Sequence, residues 1–180
     1  MSQQINHPES QVQAVVAFAK DQHFSQAIAS ANQMTNSSLK ANALSAIAEA
    51  IGNLNQPDKA AELLKEAIAS ANQMTNSSLK ANALSAIAEA IGNLNQPDKA
   101  AELLKEVIAS ANQMTDSSDK ADPLIAIAEA EANLKNWGQA LKASQKCPSK
   151  DCEVELLAKI LTVYAEQQHP ELKKEEKSEE

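Results

Sequence analysis

The chain has 180 residues, a formal net charge of −8 and 43% hydrophobic residues, yet only 2% aromatics. Its apolar content is mostly alanine with some leucine and isoleucine, so a core requires closely approaching backbones, which packed helices supply and a sandwich or barrel does not. Every basic residue is lysine; without the guanidinium fork, nucleic acid and anionic membranes are disfavoured partners.

Residues 1–8 are polar and are expected to be loose. Met1 is followed by Ser-Gln-Gln, with no secretory pattern, and no apolar run reaches membrane-span length, so a cytoplasmic location is expected. Gln11–Lys20 reads as a short helix and Phe24–Met34 as a shortened second one, with Phe18 and Phe24 available to seal that end. Internal repetition then dominates. The string Ala27–Glu66 recurs letter for letter as Ala67–Glu106, a period of 40 residues, and a diverged copy starts at Val107.

Each period holds two helical segments. The first spans about Ser38 to Asn53, where Leu44, Ile47, Ala48 and Ile51 fall on one helical face. Ser37 and Ser38 are the expected N-caps. Asn53-Leu54-Asn55-Gln56-Pro57 breaks that helix, and Pro57 suits the first turn of a second, with Asp58 complementing its dipole. The second carries Ala60, Leu64, Ala67, Ile68 and Ala71. Such pairs cannot bury their faces alone and must stack on their neighbours. The expected repeats are 36–75, 76–115 and 116–148, after an atypical unit over 9–35. A last helix over 149–168 begins after Cys147-Pro148, its outer lysines and glutamates suiting a solvent-facing cap. A charged tail, 169–180, follows. The expected fold is all-α, with about nine helices in a right-handed αα-solenoid; an ordinary helical bundle is the alternative.

The spacing resembles the tetratricopeptide repeat. That family carries Trp-x2-Leu-Gly-x2-Tyr on its first helix and Ala-x3-Phe on its second. Here Leu44-x2-Ile47-Ala48-x2-Ile51 and Ala60-x3-Leu64 match in spacing, with aliphatics replacing the aromatics. The same holds for Leu84, Ile87, Ala88, Ile91, Ala100 and Leu104, and in part for Leu124, Ile127, Ala128 and Ala140. Glu131 departs from the pattern and is expected to loosen its helix pair. The 40-residue period departs from the family's usual 34, and the central copies lack its closing proline.

No catalytic, cofactor or metal constellation is visible. His7, His23 and His169 stand near the two ends without paired-ligand spacing. Cys147 and Cys152 are too few for a disulfide framework and not spaced as CxxC. They read as small core residues, Cys147 at a packed position of a second helix. Trp137 reads as packing. Met34, Met74 and Met114 read as gap-filling between repeats.

The resemblance implies a groove lined by the first helix of each repeat. There Asn42, Ser45, Glu49 and Asn53 would form one rung, Asn82, Ser85, Glu89 and Asn93 the next, and Asp122, Glu129 and Asn133 the third, with Ile125 at the serine position. Asparagine amides both donate and accept, so they can bond a peptide backbone. Glutamates favour basic or neutral partners over acidic ones. The expected function is a non-catalytic scaffold that binds a polypeptide along this groove. A recently duplicated or engineered repeat protein with no selected ligand is the second reading, raised by the identity of the two central copies.

Overall fold

The computed structural model describes residues 8–53, 56–94 and 96–170. Of the segments expected to be loose, 1–8 and 169–180, residues 1–7 and 171–180 lie outside them, while Pro8 opens the first helix. Among the described residues all regular structure is helical. The helices are α1 (Pro8–Lys20), α2 (Phe24–Asn32), α3 (Ser37–Gly52), α4 (Pro57–Asn72), α5 (Ser77–Gly92), α6 (Pro97–Asn112), α7 (Ala121–Asn133), α8 (Trp137–Ser144) and α9 (Lys150–Gln168), with a 3₁₀ turn at Ser118–Lys120.

The helices form two layers. One is the row α1, α3, α5, α7, α9, each packed on the next, with the closest association between α3 and α5 and between α5 and α7. The other is α2, α4 and α6, also packed in order. Helix α8 packs on α7 and α9. The core lies between the layers. Leu44, Ile47, Ile51, Leu84, Ile87, Ile91, Leu124 and Ile127 are fully buried, as is Leu64 from α4. Ala48, Ala88 and Ala128 are also without exposure. At these closed positions a longer side chain would overpack the contact. Met74 and Met114 are buried and Met34 partly so, each at the end of a second helix.

Pro57 and Pro97 open α4 and α6 at the first helical position, where the missing N–H would have no helical partner anyway. The caps of α3 and α5 lie one residue earlier than the sequence suggests. Asn36 Oδ1 accepts from Leu39 N at 3.1 Å and Asn76 Oδ1 from Leu79 N at 2.9 Å. Asn, Ser and Ser all serve as caps; the asparagine takes the role and the serines enter the helix. In the third copy Pro123 displaces the start. Its ring cannot follow a helical residue four positions back, so Ser118–Lys120 forms a 3₁₀ turn and α7 begins at Ala121. Asp116 anchors that turn by accepting from Ser118 N at 2.9 Å.

Glu131 does not loosen its helix pair. It is buried, and its Oε2 accepts from Asn136 Nδ2 at 3.0 Å while its carbonyl accepts from Asn136 N at 2.8 Å. The carboxylate therefore ties the α7–α8 turn. Burial raises its pKa above the ordinary carboxylate range, partly offset by Asn136 and by the charge of Lys105.

The two cysteines also differ from the sequence reading. They form a disulfide across the α8–α9 turn, with Cα atoms 5.6 Å apart. Helix α8 ends at Ser144, so Cys147 lies in the turn, half-buried, rather than on a helix. Cys152 is buried in α9, which is capped by Ser149 Oγ accepting from Cys152 N at 3.2 Å. Among the described residues no helix is long and apolar enough to cross a membrane. Trp137 meets Tyr164 edge to face with centroids 5.3 Å apart, which docks α9 on α8.

The outer side of α9 is not a charged cap. Cys152, Leu156, Ile160 and Val163 form its buried face. Directly opposite run Val154, Ala158, Leu161 and Ala165, while the lysines and glutamates occupy the flanks.

Candidate interaction face

The side of α3 turned away from its buried residues carries Asn42, Ser45, Glu49 and Asn53, spaced so that all four fall on one stripe. Helix α5 repeats this as Asn82, Ser85, Glu89 and Asn93, and α7 as Asp122, Glu129 and Asn133. Most of these are exposed; Ser45, Ser85 and Glu129 are half-buried. Ile125, which stands in the serine position of α7, is buried with the core residues around Leu124 and Ala128 that pack toward α9. The third rung is therefore shorter.

Because α3, α5 and α7 are neighbours, the three glutamates come together as a row. Glu89, in the middle, has its pKa raised first by partial burial of its carboxyl, then by the charge of Glu129, with Glu49 adding in the same direction. Lys159 of α9 opposes this. Its Nζ lies 3.6 Å from Glu129 Oε2, and its charge also reaches Glu89. The row is thus acidic along its length, with one cation of the same chain at its end. Lys159 was not singled out from sequence. The signal was available, because the buried face of α9 through Leu156, Ile160 and Val163 places Lys159 on its flank.

The polar groups between the glutamates are partly engaged. Asn53 Nδ2 donates to Glu49 O at 3.0 Å, closing the end of α3. Ser85 Oγ donates to Ala81 O at 3.0 Å within α5. At the far end Gln167 Nε2 donates to Ala132 O at 3.1 Å and Asn133 O at 3.4 Å, which fastens α9 over the end of α7. Asn42, Asn82 and Asn93 are exposed alongside Glu49 and Glu89, so the face offers both amides and carboxylates.

At the other end the face runs into an apolar depression that sequence reasoning missed. Val12, Val16 and Ala17 of α1 and Leu39 of α3 line a cavity of about 510 Å³, with Gln13, Lys20 and Asn42 around it. Asn42 belongs to both features. The signal for this cavity lay in α1, whose Val12 and Val16 fall to one side of the buried pair Val15 and Ala19. Among the described residues no group of three His, Cys, Asp or Glu is placed to hold a metal ion.

The opposite layer carries a different charge pattern. Lys65 of α4 meets Glu102 of α6 at 3.4 Å, and Asp58 pairs with Lys99. These pairs cross between α4 and α6, whose first ten residues are identical. Comparison with protein-family models, with curated proteins and with solved structures returns no match.

Proposed function

We propose that the chain is a non-catalytic interaction scaffold of the α-solenoid type, similar to tetratricopeptide repeats, that binds a polypeptide across the first-helix row. The observation that carries this reading is the row Glu49, Glu89, Glu129 with Lys159 at its end. Lys159 stands in for what a partner would bring: an ammonium on a flexible stem set against repeated carboxylates. A segment with lysines or arginines spaced to reach successive helices, roughly 8–10 Å apart, would meet the same carboxylate on each. An apolar residue ahead of them would enter the depression beside Val12 and Val16.

Each such contact is exposed and worth little alone, so affinity would come from several rungs together and would weaken with salt. The test compares binding of a lysine-rich extended peptide by the native chain and by the triple variant Glu49→Gln, Glu89→Gln, Glu129→Gln. The reading requires at least a tenfold loss of affinity and a flatter salt dependence at unchanged helicity. Equal binding by the two proteins would overturn it.

A second reading rests on a separate observation, the identity of Ala27–Glu66 and Ala67–Glu106. Natural repeats drift, so the second copy reflects a recent duplication or an insertion by design, and the glutamate row would then be a by-product of copying. A chain lacking Ala67–Glu106 separates the two readings. Selected binding requires the rungs to act together, so the shorter chain should bind the peptide markedly less well.

A further inference from the structure

The exposed large hydrophobic side chains among the described residues are Phe18, Leu141, Val154, Leu161 and Tyr164. They fall on α1, α8 and α9, at the two ends of the helix row, and none falls on the helices between. Val154 and Leu161 are 67% and 66% exposed. Together with Ala158 they form the stripe on α9 directly opposite the face that packs on α7. In stacked helical repeats the terminal faces are ordinarily polar, because nothing covers them. Here the terminal face has the alternation of small and branched residues of a packing face.

The opposite end is its counterpart. Ala14 and Phe18 of α1 are exposed, and with Gln33 and Met34, which follow α2, they border a depression of about 290 Å³. No charged residue lines this depression, and none lies within the α9 stripe, so apposing the two would strand no ion.

We propose that these two ends dock on each other between chains, so that α9 of one copy packs on α1 of the next and continues the first-helix row across the junction. The occupant is a second copy because the contact already exists inside the molecule. The row packs first helix on first helix at every step from α1 to α9, and α9 presents a packing face where the next first helix would lie. Leu161 or Val154 then enters the depression beside Phe18. The interface is heterologous: each copy uses one end as donor and the other as acceptor, so association does not close at a dimer. It is also small, so dissociation constants on the order of 100 µM are expected. The net charge of −8 opposes association, so added salt strengthens it, opposite to the binding of a basic peptide.

Sedimentation of the full chain over rising concentration tests the proposal. The mass average should climb past that of a dimer, and climb further at higher salt. Phe18→Glu and Leu161→Glu should each remain monomeric, with helicity checked by circular dichroism. Mixed in equal amounts, they should form a one-to-one dimer and nothing larger, because each retains one intact end. Ala14→Glu and Val154→Glu repeat the test at second positions should either first variant lose its fold. A native chain that stays monomeric at millimolar concentration would overturn the proposal. So would a Phe18→Glu variant that self-associates like the native chain, since that would mean α9 pairs with α9.

Discussion

A methyl group added at Gly92 would stand 3.0 Å from both Cα and Cβ of Ala130, and one added at Gly52 would stand 3.0 Å from Cα of Ala90. The two contacts are the same contact one repeat apart. Neither glycine has a positive φ, so these helix-end glycines do not serve as left-handed caps. They let α3 lie against α5, and α5 against α7, at backbone distance. Gly92→Ala should therefore destabilise the chain by about 1–2 kcal/mol, overpacking outweighing the gain in helix propensity. Adding Ala130→Gly should recover part of that loss, and a double-mutant cycle from denaturant melts measures the coupling.

Gly138 gives the opposite outcome. It lies in α8, nothing stands within 4 Å of a methyl group added there, and its φ is not positive. Gly138→Ala should stabilise by about 0.4–1 kcal/mol, chiefly by restricting the unfolded chain. A fall in the melting temperature would mean that the position has a contact the fold does not display.

Lys135 stands at φ 62° in the turn that ends α7, where Asn136 N reaches back to Glu131 O. The left-handed conformation costs a residue with a Cβ about 1–2 kcal/mol. Lys135→Gly should raise stability by roughly 0.5–1 kcal/mol, since glycine adopts it freely but loses more chain entropy. Thermal melts of the two proteins check this.

The repeat pattern placed the core and the two helices of each period because identity of Leu44, Ile47 and Ile51 with Leu84, Ile87 and Ile91 fixes a buried face without further information. Other features depend on choices that a pattern does not rank. Three adjacent cap-forming residues, Asn36, Ser37 and Ser38, left the helix start open by one position. The rungs follow from spacing alone, but the part taken by Lys159 depends on how α9 settles on α7. The disulfide requires Cys147 to lie in a turn, whereas the repeat pattern puts it at a packed position of a second helix. The short α8 sets that difference.

Opening the Cys147–Cys152 bridge should loosen the C-terminal end. The bridge joins the α8–α9 turn to the cluster of Leu124, Ala140, Leu156 and Val163. A loop this short restricts the unfolded chain modestly, by about 2 kcal/mol. Reduction by a dithiol, or Cys147→Ser, should therefore lower the melting temperature by about 4–8 °C. Hydrogen exchange should rise in α8 and α9 first and leave α3 and α5 protected.

Glu89 supplies a pH test of the carboxylate row. Its native pKa is raised by partial burial and by Glu129 and Glu49, with Lys159 opposing. A carboxyl whose pKa is higher in the folded than in the unfolded chain binds a proton more readily when folded. Its contribution to stability is complete below the unfolded pKa and is lost as pH rises through the folded one. At neutral pH the charged form is therefore held at a cost. Glu89→Gln should raise the melting temperature at pH 7, and the gain should shrink as pH falls toward 4, where the native glutamate is itself protonated. Neutralising Lys159 should act the other way, because the row then loses the cation that offsets it. Lys159→Gln should lower the melting temperature at pH 7 and should do so less in the Glu89→Gln background. If Glu89→Gln destabilised the chain at pH 7, Glu89 would be making a favourable ionic contact. The row would then be a structural ion network rather than an open face held for a partner.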